Sequence, residues 1–123
     1  MKEVKSIFKE MIEIFPGLDI MEIKERNEGK FRFPIYLTDS MKETEIEVLE
    51  LSVRSMNCLR RAGIRTIGDF VDVVKNEEDL KKIRSCGEKS VKEIMRRVFC
   101  YQYGVLNEEM KRKYVKQICL LNK

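Results

Sequence analysis

The protein has 123 residues, of which 43% are hydrophobic and 37% are charged, and its formal net charge is +4. This length suits one domain or one domain with an appendage, and no apolar run approaches the roughly 20 residues of a membrane span, so we expect a cytoplasmic protein. Histidine is absent from the sequence, which removes the usual general base and the usual partner of a nucleophilic serine or cysteine, so we expect no enzymatic activity.

Residues 1–45 are predicted to form a small α/β appendage, a helix followed by a β-hairpin and a linker. Pro16-Gly17 is expected to end the helix, and residues 18–24 and 31–37 are predicted to be the two strands. Pro34 cannot donate a backbone hydrogen bond, which places the second strand at an edge. A unit this small is not stable alone, so we expect it to pack on the central domain, on a partner or on a second copy in a homo-oligomer. The first helix is predicted from an apolar stripe at helical spacing: Val4, Ile7, Phe8, Met11, Ile12 and Phe15.

Residues 46–103 are predicted to form a helical domain. Ser52 is a good N-cap for a helix beginning at Val53, and Gly63 suits the C′ position that ends it. The apolar face of this helix is predicted from four residues: Val53, Met56, Leu59 and Ala62. Two further short helices are predicted to begin near Thr66 and Asn76.

One face of the helix that begins at Val53 carries basic residues. Arg54, Asn57 and Arg61 are three and four residues apart, so they project together. A solvated helix face is the usual explanation of such a pattern. Asn57 is a poor helix former beside a basic residue, which favours a binding role.

The connection to the next predicted helix, over 88–101, is a candidate phosphate-binding site. Gly87 lets the backbone turn tightly and frees amide hydrogens at the helix start. Lys89 and Ser90 then lie on the first turn, where the helix dipole and unpaired amides favour an anion. An ordinary turn between two helices with a solvated lysine explains the same residues.

Residues 104–123 are predicted to form a last helix, capped by Asn107. This helix either covers an exposed apolar patch or adds phosphate contacts, and the apolar stripe favours the first. Residues 46–103 carry 12 basic against 9 acidic residues and 104–123 carry 5 against 2, a modest excess that is compatible with a polyanionic partner. The stripe consists of Met110, Tyr114, Ile118 and Leu121.

The four cysteines are widely spaced and include no C-x-x-C pair, so we expect reduced thiols and neither a metal nor another cofactor. They are Cys58, Cys86, Cys100 and Cys119.

Three motifs follow one another in the central domain: LELSVRSMNCL at 49–59, IGD at 67–69 and GEKS at 87–90. The same motifs occur in the same order in the C-terminal domain of the bacterial RNA polymerase alpha subunit, and residues 46–103 resemble that domain. The resemblance covers somewhat under half of the sequence. It implies a mainly α fold, in which a compact domain of four to five helices contains a helix–hairpin–helix.

The resemblance also implies a function. In that family the domain binds the minor groove of A·T-rich DNA upstream of promoters, and the implied partners are double-stranded DNA, RNA polymerase, a sigma factor or transcription regulators in a nucleoid-associated bacterial protein. The narrow, strongly negative groove of A·T-rich DNA attracts an inserted guanidinium, which the family match assigns to Arg54. The DNA-binding residues implied by the match are Arg54, Asn57, Cys58, Arg60, Gly87, Lys89, Ser90 and Glu93.

Three features depart from the family pattern. Val48 occupies a position that is usually acidic, so only Glu47 and Glu50 remain as candidate protein-contact residues. Two extra residues fall between Val74 and Gly87. Nothing in residues 1–45 resembles the alpha subunit's N-terminal assembly domain.

The sequence therefore leaves alternatives open. The favoured interpretation is a DNA-binding module that acts in transcription or its regulation. The alternative is a protein-interaction module that mimics the alpha domain and binds polymerase, sigma or activators through residues 1–45. A third, a helix–hairpin–helix accessory of a nuclease or repair enzyme, rests on the hairpin alone.

Overall fold

A computed structural model describes residues 3–16, 18, 32–84 and 86–122. Within these ranges the fold is mainly α, as predicted, and none of its helices is long and apolar enough to cross a membrane. A 3₁₀ turn, Ile46–Leu49, precedes α3. The α-helices are α1 (Val4–Ile14), α2 (Asp39–Lys42), α3 (Val53–Arg61), α4 (Ile67–Val73), α5 (Glu77–Lys81), α6 (Glu88–Gly104) and α7 (Glu108–Leu121).

The protein divides into two compact units. The central unit comprises residues 35–101, and the terminal unit comprises residues 1–34 together with 102–123. Helix α6 begins in the central unit, and its residues 102–104 belong to the terminal unit.

The central unit begins with a segment that the sequence predicted to be a linker, and this prediction was wrong. Residues 39–42 form α2, and the side chain of Met41 is buried. The backbone then forms an antiparallel bridge between Glu45 and Thr66, where Ile46 N donates to Arg65 O at 3.0 Å and Ile67 N donates to Thr44 O at 2.7 Å. These bonds join positions about twenty residues apart, which local polarity does not indicate.

Both predicted ends of α3 are confirmed. The Ser52 hydroxyl accepts from Ser55 N at 3.3 Å, and Gly63 has a φ of 80°, which favours glycine. Gly63 N donates to Arg60 O at 3.0 Å and Ile64 N donates to Leu59 O at 2.9 Å, the two bonds of a Schellman motif. This motif closes the helix and turns buried Ile64 back into the core.

The predicted apolar face of α3 is only partly correct. Val53 is 77% exposed and Ala62 is also exposed, whereas Cys58 and Leu59 are buried. Val53 is therefore not part of the packed face of α3, which in the first turn includes buried Ser55.

Side-chain caps also fix the helices that follow. Thr66 and Asp69 form a capping box at the start of α4, and the Asn76 side chain accepts from Asp79 N at 3.0 Å at the start of α5. Helix α6 continues to Gly104, three residues beyond its predicted end.

In the terminal unit, α1 packs against α7. The Lys111 side chain is buried there, with Nζ 2.9 Å from Glu10 Oε1 and 5.0 Å from the centre of the Tyr103 ring. The predicted stripe of α7 is half correct, because Tyr114 and Ile118 are buried while its first and last members are exposed. Those exposed members are Met110 and Leu121.

The predicted β-hairpin of the appendage is wrong where the structure describes it, because residues 32–38 contain no strand. The Asn122 side chain accepts from Arg32 N at 3.0 Å and donates to Arg32 O at 2.6 Å, and the Tyr114 hydroxyl donates to Pro34 O at 2.7 Å. Side chains of the C-terminal segment therefore satisfy backbone groups that a strand would have paired. Most of the first predicted strand and the turn, residues 19–31, lie outside the described residues.

A close approach between α2 and α4 gives a test of the fold. A Cβ atom on Gly68 would lie 2.7 Å from the backbone oxygen of Lys42. We expect Gly68→Ala to lower the free energy of unfolding by about 1–3 kcal/mol, because a backbone contact cannot yield without moving α2. Chemical denaturation followed by circular dichroism measures this, with Gly104→Ala as the control, because a Cβ on helical Gly104 meets no atom within 4 Å. Equal stability of the Gly68 variant and wild type would contradict the packing of α2 on α4.

Candidate nucleic-acid interface

Ile83, Cys86 and Glu93 lie along α3 in the reverse order of its sequence. The start of α3 contacts Glu93, its middle contacts Cys86, and its last turn borders Ile83 and Arg84. This antiparallel order brings one face of α3 against the start of α6. It places residues about thirty positions apart in the sequence on one surface.

A carboxylate fixes the start of α3 against α6. Glu93 Oε2 accepts from Ser52 N at 3.0 Å, and Glu93 Oε1 accepts from the Ser52 hydroxyl at 2.7 Å and from the hydroxyl of buried Ser55. Partial burial raises the pKa of Glu93, but the hydrogen bonds from Ser55 and Ser52 outweigh it, so the pKa lies below its usual value. The charged form of Glu93 is therefore the form that holds the two elements together.

Beside this contact lies a cleft of about 150 Å³, which we call the Arg54–Lys89 cleft. The side chains of Arg54 and Lys89 are exposed, and Ser90 is buried beneath them. Among the described residues, neither Arg54 nor Lys89 has a hydrogen-bond or ion-pair partner. The cleft is lined by Ser52, Arg54, Ser55, Lys89, Ser90 and Glu93.

The first turn of α6 carries Lys89 and Ser90, which line the cleft, and Gly87 directly precedes this helix. Helix α6 begins at Glu88, so the amides of its first turn have no partner within the helix. Gly87 is exposed, and a Cβ there would meet no atom within 4 Å. The backbone next to Lys89 is thus open to a bound anion.

Two of the predicted site residues lie beside the cleft. Asn57 is half-buried on the Arg54 face of α3. Cys58 is 4% exposed, so its side chain supports this surface from below. Burial, followed by a hydrogen bond with the Cys58 thiol, raises the pKa of Cys86 to about 12, which keeps the Cys86 thiol protonated at neutral pH.

Three further predicted residues, Arg60, Glu47 and Glu50, do not line the cleft. Arg60 Nη2 is 2.7 Å from Glu47 Oε1, and each side chain is about half exposed. The hydrogen bond from Arg60 holds the pKa of Glu47 below its usual value. Glu50 is exposed and has a φ of 53°. A cation assigned to DNA and a carboxylate assigned to protein contact are therefore paired with each other.

Sequence reasoning missed the partners of Glu93. The sequence identified Ser52 as a helix cap, but its bond to a carboxylate 41 positions away has no local signal. It also missed Arg84, which the antiparallel packing brings to the same cleft as Arg61.

The central unit is similar to a known protein family. Residues 38–98 match the family model for the C-terminal domain of the alpha subunit of bacterial RNA polymerase. Residues 38–98 of the protein belong to this alpha C-terminal domain family. The match includes the whole Arg54–Lys89 cleft and begins at α2, the helix that the sequence predicted to be a linker.

Curated relatives extend this similarity beyond the alpha C-terminal domain. The protein is 35% identical over 109 residues to a DNA-directed RNA polymerase subunit alpha of Carboxydothermus hydrogenoformans. The match covers 89% of the present sequence and 31% of the relative. It is also 40% identical over 92 residues to the same subunit of Symbiobacterium thermophilum. This second match covers 72% of the present sequence and 27% of the relative. The matched region thus spans under a third of the length of these relatives. No solved structure matches the protein.

The Glu93 contact predicts an acid dependence of stability. Because the folded-state pKa of Glu93 lies below the unfolded value, its stabilisation is present above about pH 4.5 and is lost as pH falls through the folded pKa. Asp69 acts in the same direction, because backbone hydrogen bonds from Arg65 and Thr66 lower its pKa. Glu93→Gln should lower the unfolding free energy by about 1–3 kcal/mol at pH 7 and flatten its fall between about pH 5 and 3.

Urea denaturation at a series of pH values measures this effect. Glu88→Gln removes the same charge from an exposed position of α6 that pairs with Lys92 at 3.4 Å, and it serves as the control. Parallel pH profiles for wild type and Glu93→Gln would contradict a charged Glu93 that holds α3 against α6.

Proposed function

We propose that the central unit binds the minor groove of A·T-rich double-stranded DNA and acts in transcription or its regulation. The observation that carries this proposal is that Arg54, Lys89 and Ser90 line one cleft at the junction of α3 and α6. The family membership supports it, because the relatives are subunits of a DNA-directed RNA polymerase. The family domain has no catalytic role, so we assign the unit to binding.

In the proposed complex, Arg54 enters the groove. Its guanidinium is exposed and has no ion-pair partner among the residues that the structure describes, so binding breaks no existing contact. A narrow A·T minor groove concentrates negative potential, which an inserted arginine neutralises. Base edges in this groove distinguish A·T from G·C but little else, so we expect a preference for A·T-rich duplexes without an exact sequence. Asn57, on the same helix face, lies at the groove floor.

The start of α6 holds the sugar-phosphate backbone. Lys89, together with the amides that follow Gly87, presents positive charge and unpaired donors to a phosphate. Such contacts fix the register of the protein on the duplex without reading bases. In this proposal α5 and α6 act as the two helices of a helix–hairpin–helix, and Arg60 exchanges Glu47 for a phosphate when DNA binds.

Glu93 is a positioning residue in this proposal. Its carboxylate does not attract DNA, but its three hydrogen bonds set the start of α3, where Arg54 lies. A fixed helix start reduces the conformational entropy that Arg54 loses on binding.

The direct test is removal of the guanidinium. We expect wild type to bind an A·T-rich duplex with micromolar-range affinity, typical of largely electrostatic binding, and Arg54→Ala to bind at least about tenfold more weakly. The variant should keep its helical circular dichroism, because the side chain is exposed. Fluorescence anisotropy with A·T-rich and G·C-rich duplexes measures both affinities. Arg65→Ala is the matched control, because it removes the same charge from an exposed position outside the cleft.

Two results would overturn this proposal. The first is unchanged binding by Arg54→Ala, and the second is an equal loss in Arg65→Ala. If polymerase or sigma is retained on immobilised Arg54→Ala protein, the alternative interaction module becomes the better explanation. In that case, substitutions within residues 1–45, the recruiting surface of that alternative, should abolish retention.

The salt dependence gives an independent prediction. If about three phosphates are neutralised, the logarithm of the association constant should fall linearly with the logarithm of salt concentration, with a slope near −3. Titrations between about 50 and 200 mM salt measure this slope. A slope near zero would show that charge neutralisation does not drive binding.

We further propose that this unit acts together with RNA polymerase, a sigma factor or transcription regulators in the bacterial nucleoid. The exposed acidic residues Glu47 and Glu50 are the candidates for protein contact.

A further inference from the structure

A second basic cleft lies at the other end of α3. It has a volume of about 520 Å³ and is lined by Arg61, Ala62, Ile83 and Arg84. We call it the Arg61–Arg84 cleft. The side chains of Arg61 and Arg84 are exposed, and neither has an ion-pair or hydrogen-bond partner within residues 32–84 and 86–122. Two exposed arginine side chains without such a partner thus border one mainly apolar opening.

The helix geometry places this cleft on the same side of α3 as the Arg54–Lys89 cleft. Arg61 follows Arg54 by seven residues, which returns a helix to nearly the same face after two turns. The separation along the axis is about 10.5 Å at 1.5 Å per residue, close to three base-pair rises of roughly 3.4 Å along one DNA strand. The contact of α3 with Cys86 lies between its contact with Glu93 at the first cleft and its contact with Ile83 at the second.

We infer that the Arg61–Arg84 cleft binds a backbone phosphate of the same duplex that the Arg54–Lys89 cleft holds. This inference rests on the proposed function and extends its footprint by one phosphate, about three nucleotides from the groove contact. Two guanidiniums form charge-assisted hydrogen bonds with phosphate oxygens. The apolar side chains of Ala62 and Ile83, which also line the cleft, suit the adjoining sugar.

The end of a helix ordinarily disfavours an anion, because its last carbonyls carry partial negative charge. Here the Schellman motif engages Leu59 O and Arg60 O through the backbone amides of Ile64 and Gly63. The residual repulsion is opposed by two full positive charges. This accounts for a pair of arginines, rather than one, at this position.

An acidic protein segment is the other polyanion that two arginines attract. The alignment of the cleft with Arg54 favours DNA, because Arg54 and Arg61 lie on one face of α3, where a single duplex can contact both. The two occupants predict different responses to substitution.

The test uses the full-length protein with the double substitution Arg61→Gln and Arg84→Gln. We expect affinity for the A·T-rich duplex to fall about tenfold at low salt, and the salt slope to flatten by about 0.9, the contribution of one phosphate. The ratio of affinities for A·T-rich and G·C-rich duplexes should stay unchanged, because a phosphate carries no base information. Circular dichroism should show an intact fold, since both side chains are exposed.

The control is the double substitution Lys42→Gln and Arg65→Gln, which removes two positive charges at exposed positions of the central unit outside both clefts. If both double variants bind alike, the cleft has no role beyond net charge and the inference fails. If Arg61→Gln/Arg84→Gln retains full DNA affinity but loses retention of RNA polymerase or sigma, the cleft binds protein and the inference also fails. Neither result touches the proposed function, which fails only when Arg54→Ala binds normally or when Arg65→Ala loses as much affinity.

Discussion

The contact of Glu93 with Ser52 and Ser55 is the constraint on which the candidate interface depends. One carboxylate, contributed by the second turn of α6, receives a backbone amide and two hydroxyls from the start of α3. Hydrogen bonds to a charged group contribute more than neutral ones, about 1.5–3 kcal/mol each. These hydrogen bonds hold the start of α3 against α6, where the exposed side chains of Arg54 and Lys89 lie. The contact therefore keeps these two cations close together.

This packing has a consequence for charge. The segment leading into α6 lies antiparallel to α3, so basic side chains from both border two clefts along one face. The central unit carries only a modest excess of positive charge, and a local arrangement of unpaired cations attracts a polyanion more effectively than net charge does. The pairing of Arg60 with Glu47 shows the contrast, since Arg60 must leave a carboxylate before it can contact a phosphate.

The sequence predicted features that depend on neighbouring residues. The caps at Ser52 and Asn76 and the glycine end of α3 at Gly63 are local hydrogen-bond and backbone requirements, and all three are confirmed. The motifs also identified Arg54 and Lys89, which the fold brings to one cleft.

Features that depend on distant contacts were missed or wrong. In residues 32–38, apolar and polar residues alternate as they do in a strand. Yet side chains of the last helix and of the residue after it form hydrogen bonds with the backbone of this segment. The bridge that orders the supposed linker, and the Glu93 contact, likewise join residues too far apart for any periodicity to reveal.

The most direct measurement of the central claim is amide chemical-shift mapping during titration with an A·T-rich duplex. We expect the largest shifts in the first turn of α3 and at Gly87, Glu88 and Lys89, with smaller shifts at Arg61 and Arg84. In Glu93→Gln we also expect smaller shifts in the first turn of α3, with shifts spread over more residues of that helix, because the helix start is no longer fixed. Shifts confined to residues outside both clefts, or to the terminal unit, would contradict the claim.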